Sequence, residues 1–152
     1  MQLKRAAADD VRTVFRIARD TISAVYYHYY PRGAVDYFLA LHSEKNIEKS
    51  ITEDKVYIIT ENGAEVGTVT VRENEILRFF ILPEHQGRGL GNTVMDFLEE
   101  DILKAYGVVR LDASMSANEM YERRGYRPIR FNRLRTDNGD YLCWYEMEKT
   151  AG

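Results

Sequence analysis

The sequence predicts a mixed α/β domain built on one twisted sheet. Ile76 to Leu82 is an apolar run broken only by Arg78, the pattern of a strand buried on both faces. A glycine-rich turn follows it and opens into a long amphipathic helix, from about Asn92 to Tyr106. Glu61-Asn62-Gly63 and Asp137-Asn138-Gly139 are hairpin turns between β-rich segments. Strands joined both by hairpins and by a helix make a mixed sheet, not a strictly alternating one.

Taken in order, Gln2 to Ala6 reads as a short first strand. Asp9 or Asp10 is the expected N-cap of a helix carrying Val11, Val14, Phe15, Ala18, Ile22 and Val25 on its buried stripe. Tyr26, Tyr27, Tyr29 and Tyr30 with Pro31-Arg32-Gly33 end it, and a second helical region is marked by Val35, Phe38, Leu39, Ile47 and Ile51. Val56 to Thr60 and Val66 to Arg72 form a hairpin, with Val69 and Val71 facing one way and Thr68 and Thr70 the other. Glu73-Asn74 turns into the buried strand, which Pro83 stops. In the long helix Val94, Phe97, Leu98, Ile102 and Ala105 should face the core, with Glu99, Glu100, Asp101 and Lys104 toward solvent and Gly107 as C-cap. Val108 to Ala113 is a strand and Ala117 to Arg123 a short helix closed by Gly125. Arg127 to Leu134 and Tyr141 to Glu148 form a closing hairpin.

A chain of 152 residues, 45% hydrophobic and 30% charged, is expected to form one domain over residues 1–152 with a core that needs no staples. A net charge of −3 provides no general attraction to nucleic acid or an anionic membrane. The lone Cys143 excludes an internal disulfide and a multi-cysteine metal site, and reads as a core filler. His28 and His42 lack metal-ligand spacing, so no metal is expected. Residues 1–10 have no apolar h-region and no stretch reaches a membrane span. A reducing cytoplasm is therefore the expected location, with neither nucleic acid nor membrane as partner.

The chemistry concentrates in Phe79-Phe80-Ile81-Leu82-Pro83-Glu84-His85-Gln86-Gly87-Arg88-Gly89-Leu90-Gly91. A strand, a glycine turn and a helix start aim unpaired N–H groups at one spot, with the positive end of the helix dipole behind them. Glycines let a ligand approach the main chain, Arg88 can add charge, and a pyrophosphate suits such a nest. No Gly-Lys-Ser/Thr follows, which excludes a Walker loop. Position 92 is Asn, which breaks the dinucleotide fingerprint. A glycine-rich helix start that binds nothing is the competing reading of the residues alone.

The segment resembles the signature of the GNAT superfamily of N-acetyltransferases, Gln/Arg-x-x-Gly-x-Gly/Ala, with Gln86, Gly89 and Gly91 in its three positions. Leu82-Pro83-Glu84-His85 is similar to the residues that precede the signature in that family. Met120-Tyr121-Glu122-Arg123-Arg124-Gly125-Tyr126 resembles its Leu-Tyr-Glu-Lys-x-Gly-Phe stretch. The likeness covers nearly the whole chain. It implies a twisted mixed sheet that splays between its fourth and fifth strands, here Glu75–Leu82 and Val108–Ser114. Acetyl-coenzyme A would lie in the opening as cosubstrate. Its pantetheine arm would pair with the backbone of Phe79, Phe80 and Ile81. Its pyrophosphate would meet the N–H groups from Gly87 through Arg88, Gly89, Leu90 and Gly91 to Asn92.

The resemblance also assigns candidate roles. Tyr121 matches the tyrosine that many relatives place near the coenzyme sulfur, where a phenol can stabilise a departing thiolate. The alternative is a packed aromatic on a short helix. Glu75 is the candidate base for the acceptor amine, and equally an exposed residue of the polar turn Glu73-Asn74-Glu75. Where many relatives carry an asparagine ahead of the tyrosine, this sequence has Ser114. Ser114 or Asn118 is expected on the pantetheine arm. One arginine among residues 123, 124, 127, 130, 133 and 135 could meet the coenzyme 3′-phosphate.

The first helices usually wall the acceptor site in this superfamily, and Tyr26, Tyr27 and Tyr30 are the candidate acceptor contacts. The implied reaction moves an acetyl group to an amine of a small molecule or peptide, and a homodimer is left open. The alternatives are a module that senses acyl-coenzyme A without turnover and an interaction protein with a vestigial pocket.

Overall fold

The computed structural model describes residues 1–152. Its strands are β1 (Gln2–Arg5), β2 (Lys55–Glu61), β3 (Ala64–Arg72), β4 (Glu75–Ile81), β5 (Val108–Ala113), β6 (Arg127–Arg135) and β7 (Tyr141–Thr150). Its helices are α1 (Val11–Val25), α2 (Arg32–Leu41), α3 (Glu44–Glu53), α4 (Leu90–Tyr106) and α5 (Asn118–Arg123). The seven strands form one mixed sheet in the order β1-β2-β3-β4-β5-β7-β6, with β4 and β5 its parallel neighbours. This is the splayed mixed sheet that the resemblance implied.

Helices cover both faces. Ile17, Ala18 and Ile22 of α1 and Ala34 and Val35 of α2 pack on Phe80, Leu82 and Leu142. Ile47 of α3 joins Val14, Val56 and Ile58. On the other face Val94, Met95, Leu98 and Ile102 of α4 pack against Val69, Val71, Ile76, Val109 and Leu111, with Tyr121 and Tyr126 in the same cluster. Each fully buried Ile, Val or Leu there contributes roughly 1.5–3 kcal/mol. Thr68 and Thr70 face the α1 side, as the alternation of β3 predicts, and both are buried.

One irregularity shapes the site. Phe80 pairs with Thr68 and Leu77 with Thr70, so Arg78 and Phe79 together stand opposite the single residue Val69. Arg78 is the extra residue of this bulge and adopts a φ of +46°. The bulge reverses the alternation: Ile76 and Phe79 pack on the α4 face, while Phe80 packs on the α1 face.

Several local expectations need correction. The second helical region is two helices, because Ser43 caps α3 by accepting from the Asn46 N–H at 3.2 Å. Asp10 does not cap α1 with its side chain. It accepts from the Ala7 N–H at 2.9 Å and pairs with Lys4. Phe97 is 59% exposed and Ala105 is exposed, whereas Glu99 is buried at 4%. Glu99 escapes the helical-stripe rule because Arg124 and Lys149 reach it, at 2.9 Å and 2.7 Å. Burial pushes its carboxyl up. The hydrogen bonds and charges of Arg124 and Lys149 outweigh burial and hold it below the usual carboxylate range. Cys143 is half-buried rather than a core filler. No helix is long and apolar enough to cross a membrane.

Candidate active site

The site begins where the sheet opens. β4 and β5 keep register only at Glu75 with Arg110 and Ile76 with Leu111. Beyond Leu77 the strands diverge, so the main-chain groups of β4 that face β5 have no strand partner. Unpaired backbone groups in a cleft are ready for an extended ligand.

Two cavities meet at this opening. The first, about 360 Å³, is lined by β4, the glycine loop, the start of α4, α1 and α5. The second, about 400 Å³, lies toward α2, β3, β5 and β7. Tyr26, Phe79, Phe80, Ser114, Ala117 and Tyr121 line both, so the two cavities share one wall.

The glycine loop forms as its sequence requires. Gly87 and Gly89 adopt φ of 75° and 77°, in the left-handed region. Gly89 is the N-cap of α4, and its carbonyl accepts the Thr93 N–H at 3.1 Å. The N–H groups of Leu90, Gly91 and Asn92 precede the first intrahelical bond and lack a carbonyl four residues back. All three residues line the first cavity. A Cβ built on Gly87 or Gly89 would meet nothing within 4 Å, which leaves the main chain open to a ligand. Thr21 of α1 also lines this cavity, and its buried Oγ1 has no partner. Orphan donors, an open main chain and an unpaired hydroxyl fit a phosphate-bearing ligand.

Other expected contacts fall in varied places. Phe79, Phe80, Ile81, Gln86 and Ser114 line the first cavity. The Gln86 amide donates to the Ile81 carbonyl at 2.8 Å, so it braces the loop against the end of β4. Arg88 does not line the cavity. Its guanidinium pairs with Glu61 at 2.9 Å and with His85 Nδ1 at 2.7 Å. Asn118 lines neither cavity, though its buried Oδ1 is unpaired. Arg124 is spent on Asp96, Glu99 and the side chain of Asn92.

Among the tyrosines, Tyr26 is buried and lines both cavities. Tyr27 is 50% exposed and lines neither. Tyr30 is buried, and its hydroxyl accepts the Met115 N–H at 2.7 Å, tying the end of α1 to the loop after β5. Tyr29 lines the first cavity instead. Burial pushes the Tyr26 phenol up to about 12 and raises Tyr121 further. Both rings therefore keep their O–H at neutral pH.

Glu75 is exposed at the start of β4 and lines neither cavity. Asp112 of β5 lines the second. Although much of Asp112 is exposed, partial desolvation in the cleft, then the negative charges of Glu146 and Glu75, raise its carboxyl above the usual carboxylate value. Asp112 lies two residues before Ser114, and both line the second cavity. That spacing was available in the sequence. Arg78 and His42 also line the second cavity, with Arg78 Nε donating to His42 Nδ1 at 2.9 Å. Nothing local in the sequence joins those two residues. No group of three or more His, Cys, Asp and Glu is placed to hold a metal.

Known proteins share this architecture. A crystal structure of a GCN5-related N-acetyltransferase from Rhodopseudomonas palustris superposes with a TM-score of 0.88 at 22% identity, covering 99% of this chain and 95% of that one. The PaiA N-acetyltransferase of Thermoplasma acidophilum, solved in complex with coenzyme A, gives a TM-score of 0.72 at 18% identity, covering 99% and 98%. In sequence, S-(2-succino)cysteine N-acetyltransferase of Bacillus subtilis is 29% identical over 107 residues, 59% of this chain and 65% of that relative. The family described as acetyltransferase (GNAT) domain matches residues 26–151, from the end of α1 to the last strand. The chain thus belongs to the GNAT family of acetyltransferases, and it is an acyltransferase.

Proposed function

We propose that this protein transfers an acetyl group from acetyl-coenzyme A, held in the first cavity, to an amine held in the second. The observation that carries the reading is the shared wall: Tyr121 and Ser114 border both cavities at the point where β4 and β5 part. The Bacillus relative acts on the amine of a modified cysteine, which supports a small-molecule acceptor.

The residues supply a direct route. An alkyl amine with a pKa near roughly 10 arrives protonated at neutral pH. Asp112, made more basic than an ordinary carboxylate, takes that proton, directly or through water. Asp112 fills the role that the sequence suggested for Glu75, whose charge instead raises Asp112. The freed nitrogen bonds to the thioester carbon while unpaired β4 N–H groups polarise the carbonyl oxygen. The C–S bond then breaks, its electron pair leaves on sulfur, and the nitrogen gives up its second proton to water, leaving a neutral amide. Tyr121 hydrogen-bonds that thiolate. A thiol has a pKa near roughly 8.5, well below the buried phenol, so Tyr121 keeps its proton and the sulfur takes one from solvent.

Tyr121→Phe tests this reading. A hydrogen bond to a charged group is worth about 1.5–3 kcal/mol, so kcat and kcat/KM should fall together by roughly 10- to 10²-fold. Coenzyme affinity and melting should hardly change. Wild-type turnover with every accepted amine would remove Tyr121 from the chemistry. A large drop in melting temperature would assign its hydroxyl to the fold. Coenzyme binding without thiol release for any amine would leave a binding module.

A further inference from the structure

Two residues on the lining of the second cavity carry polar atoms that the fold leaves unsatisfied. Arg78 Nη1 and Thr70 Oγ1 are both buried without a hydrogen-bond partner, and both residues line the cavity. A buried donor without a partner costs stability, and native proteins rarely keep two in one place without a use. Arg78 has no carboxylate of its own. The nearby acid, Asp54, is held at both oxygens by Arg72, each at 2.9 Å. The one group Arg78 does hold, His42, carries no compensating charge. Burial, then the charge of Arg78, keep that ring neutral, with its pKa pulled down to about 3. The result is a half-buried arginine with no ion pair of its own and an unpartnered Nη1, on the lining of the same cavity as the unpartnered Thr70 hydroxyl.

The backbone supports the same reading. Arg78 is the bulge residue, held at a φ of +46°, where a long side chain is strained. Such strain concentrates at active sites and ligand clamps. The bulge turns Arg78 toward His42 on the α2 side. Tyr37, Phe38, Leu41 and Trp144 give the remaining wall an apolar character.

We propose that the acceptor is an amine that also carries a carboxylate, held by Arg78 and Thr70, with an apolar body against the aromatic wall. An α-amino acid is the simplest member of that class. The proposal rests on the acetyl-transfer reading only in assigning the amine to the Asp112 end. A charge-assisted pair in a buried site is the strongest polar contact the cavity can offer.

The test separates binding from turnover. Calorimetry with coenzyme A present would compare N-acetylphenylalanine, N-acetylmethionine and N-acetylleucine with their carboxamides. Thiol release would then compare the parent amino acids with their amides. At least one acid should bind roughly tenfold or more tighter than its amide. Arg78→Gln should abolish that preference, and Thr70→Val should reduce it. Equal binding of acids and amides, binding of neither, or a preference that survives Arg78→Gln would overturn the proposal. If Arg78→Gln does not fold, Thr70→Val decides: an unchanged preference overturns the proposal. Acid-selective binding with no thiol release from any amine would sustain it while the transfer reading fails. Thiol release without acid preference would do the reverse.

Discussion

The two cavities are built from different materials. The first is mostly main chain: an open strand edge, two glycines in left-handed conformations and three helix N–H groups with no internal partner. The second is mostly side chains, with Thr70 from β3, Arg78 from β4, Asp112 from β5, His42 from beyond α2 and Trp144 from β7. A main-chain site accepts any ligand with the right backbone-like arm and phosphate. A side-chain site distinguishes among ligands. In the proposed transfer the donor side is therefore generic and the acceptor side particular.

Asp112→Asn should break this contrast most sharply. Losing the base should cost kcat about 10²- to 10³-fold, shrinking at high pH where the amine deprotonates itself, with coenzyme affinity unchanged. A wild-type pH–rate profile in the variant would discard the assignment. Because the folded carboxyl titrates above its unfolded value, its charge destabilises the fold at neutral pH, so the variant should melt slightly higher.

Glu99→Gln acts under the donor side. Breaking a buried pair by removing one partner costs about 3 kcal/mol, read as a shift in urea midpoint. Arg124 also holds Asn92, so coenzyme affinity should weaken more than acceptor KM. The folded Glu99 carboxyl titrates below its unfolded value. Its stabilisation is thus present above about pH 4 and lost as pH falls through the lower folded value. A wild-type acid-unfolding curve in Glu99→Gln would contradict this.

Two glycines separate strain from access. Gly89→Val forces a β-branched residue to a φ of 77°, costing about 1–2 kcal/mol, and should weaken coenzyme binding roughly tenfold or more. Gly91→Ala has no such strain, since its Cβ would meet nothing nearer than Met120 Sδ at 3.5 Å. It should leave melting unchanged and report ligand access alone. Arg88→Ala should leave calorimetric affinity near wild type, because Arg88 faces Glu61 and His85. The smallest effect is expected for Glu75→Gln. Removing that charge lowers the Asp112 pKa, so the acid limb of the pH–rate profile should move to lower pH by a fraction of a unit. A large loss of kcat would restore Glu75 as the base.

The same contrast explains what the sequence revealed. The donor side is contiguous: strand, glycine turn and helix start lie within residues 76–106, where periodicity and turn chemistry act locally. The hairpins and the helix stripes were legible for the same reason. Glu99 was misplaced because its partners lie 25 and 50 residues away, so a charge on a helix face looked solvated. Arg78 read as an interruption of an apolar run, and its pairing with His42, 36 residues earlier, depends on how α2 packs across the sheet. Tyr27 and Tyr30 were indistinguishable from Tyr26 by composition. The short turn after α1 buries Tyr26 and Tyr30, their rings 5.6 Å apart, and leaves Tyr27 exposed.

The extra residue in β4 gives one strand two independent reading frames. Up to Leu77 the alternation is set by the pairing with β3, and from Phe79 it restarts in the opposite phase. The residue at the seam answers to neither frame. If Arg78 selects the acceptor as proposed, a change at position 78 would alter which molecule is modified while the donor stays gripped as before. Deleting that one residue would instead close the bulge, setting Phe79 opposite Val69 and leaving Phe80 opposite Thr68 and Ile81 opposite Gly67, so their faces would be kept while the arginine is lost. Specialisation by substitution is open to this scaffold at a residue that neither frame of the strand needs.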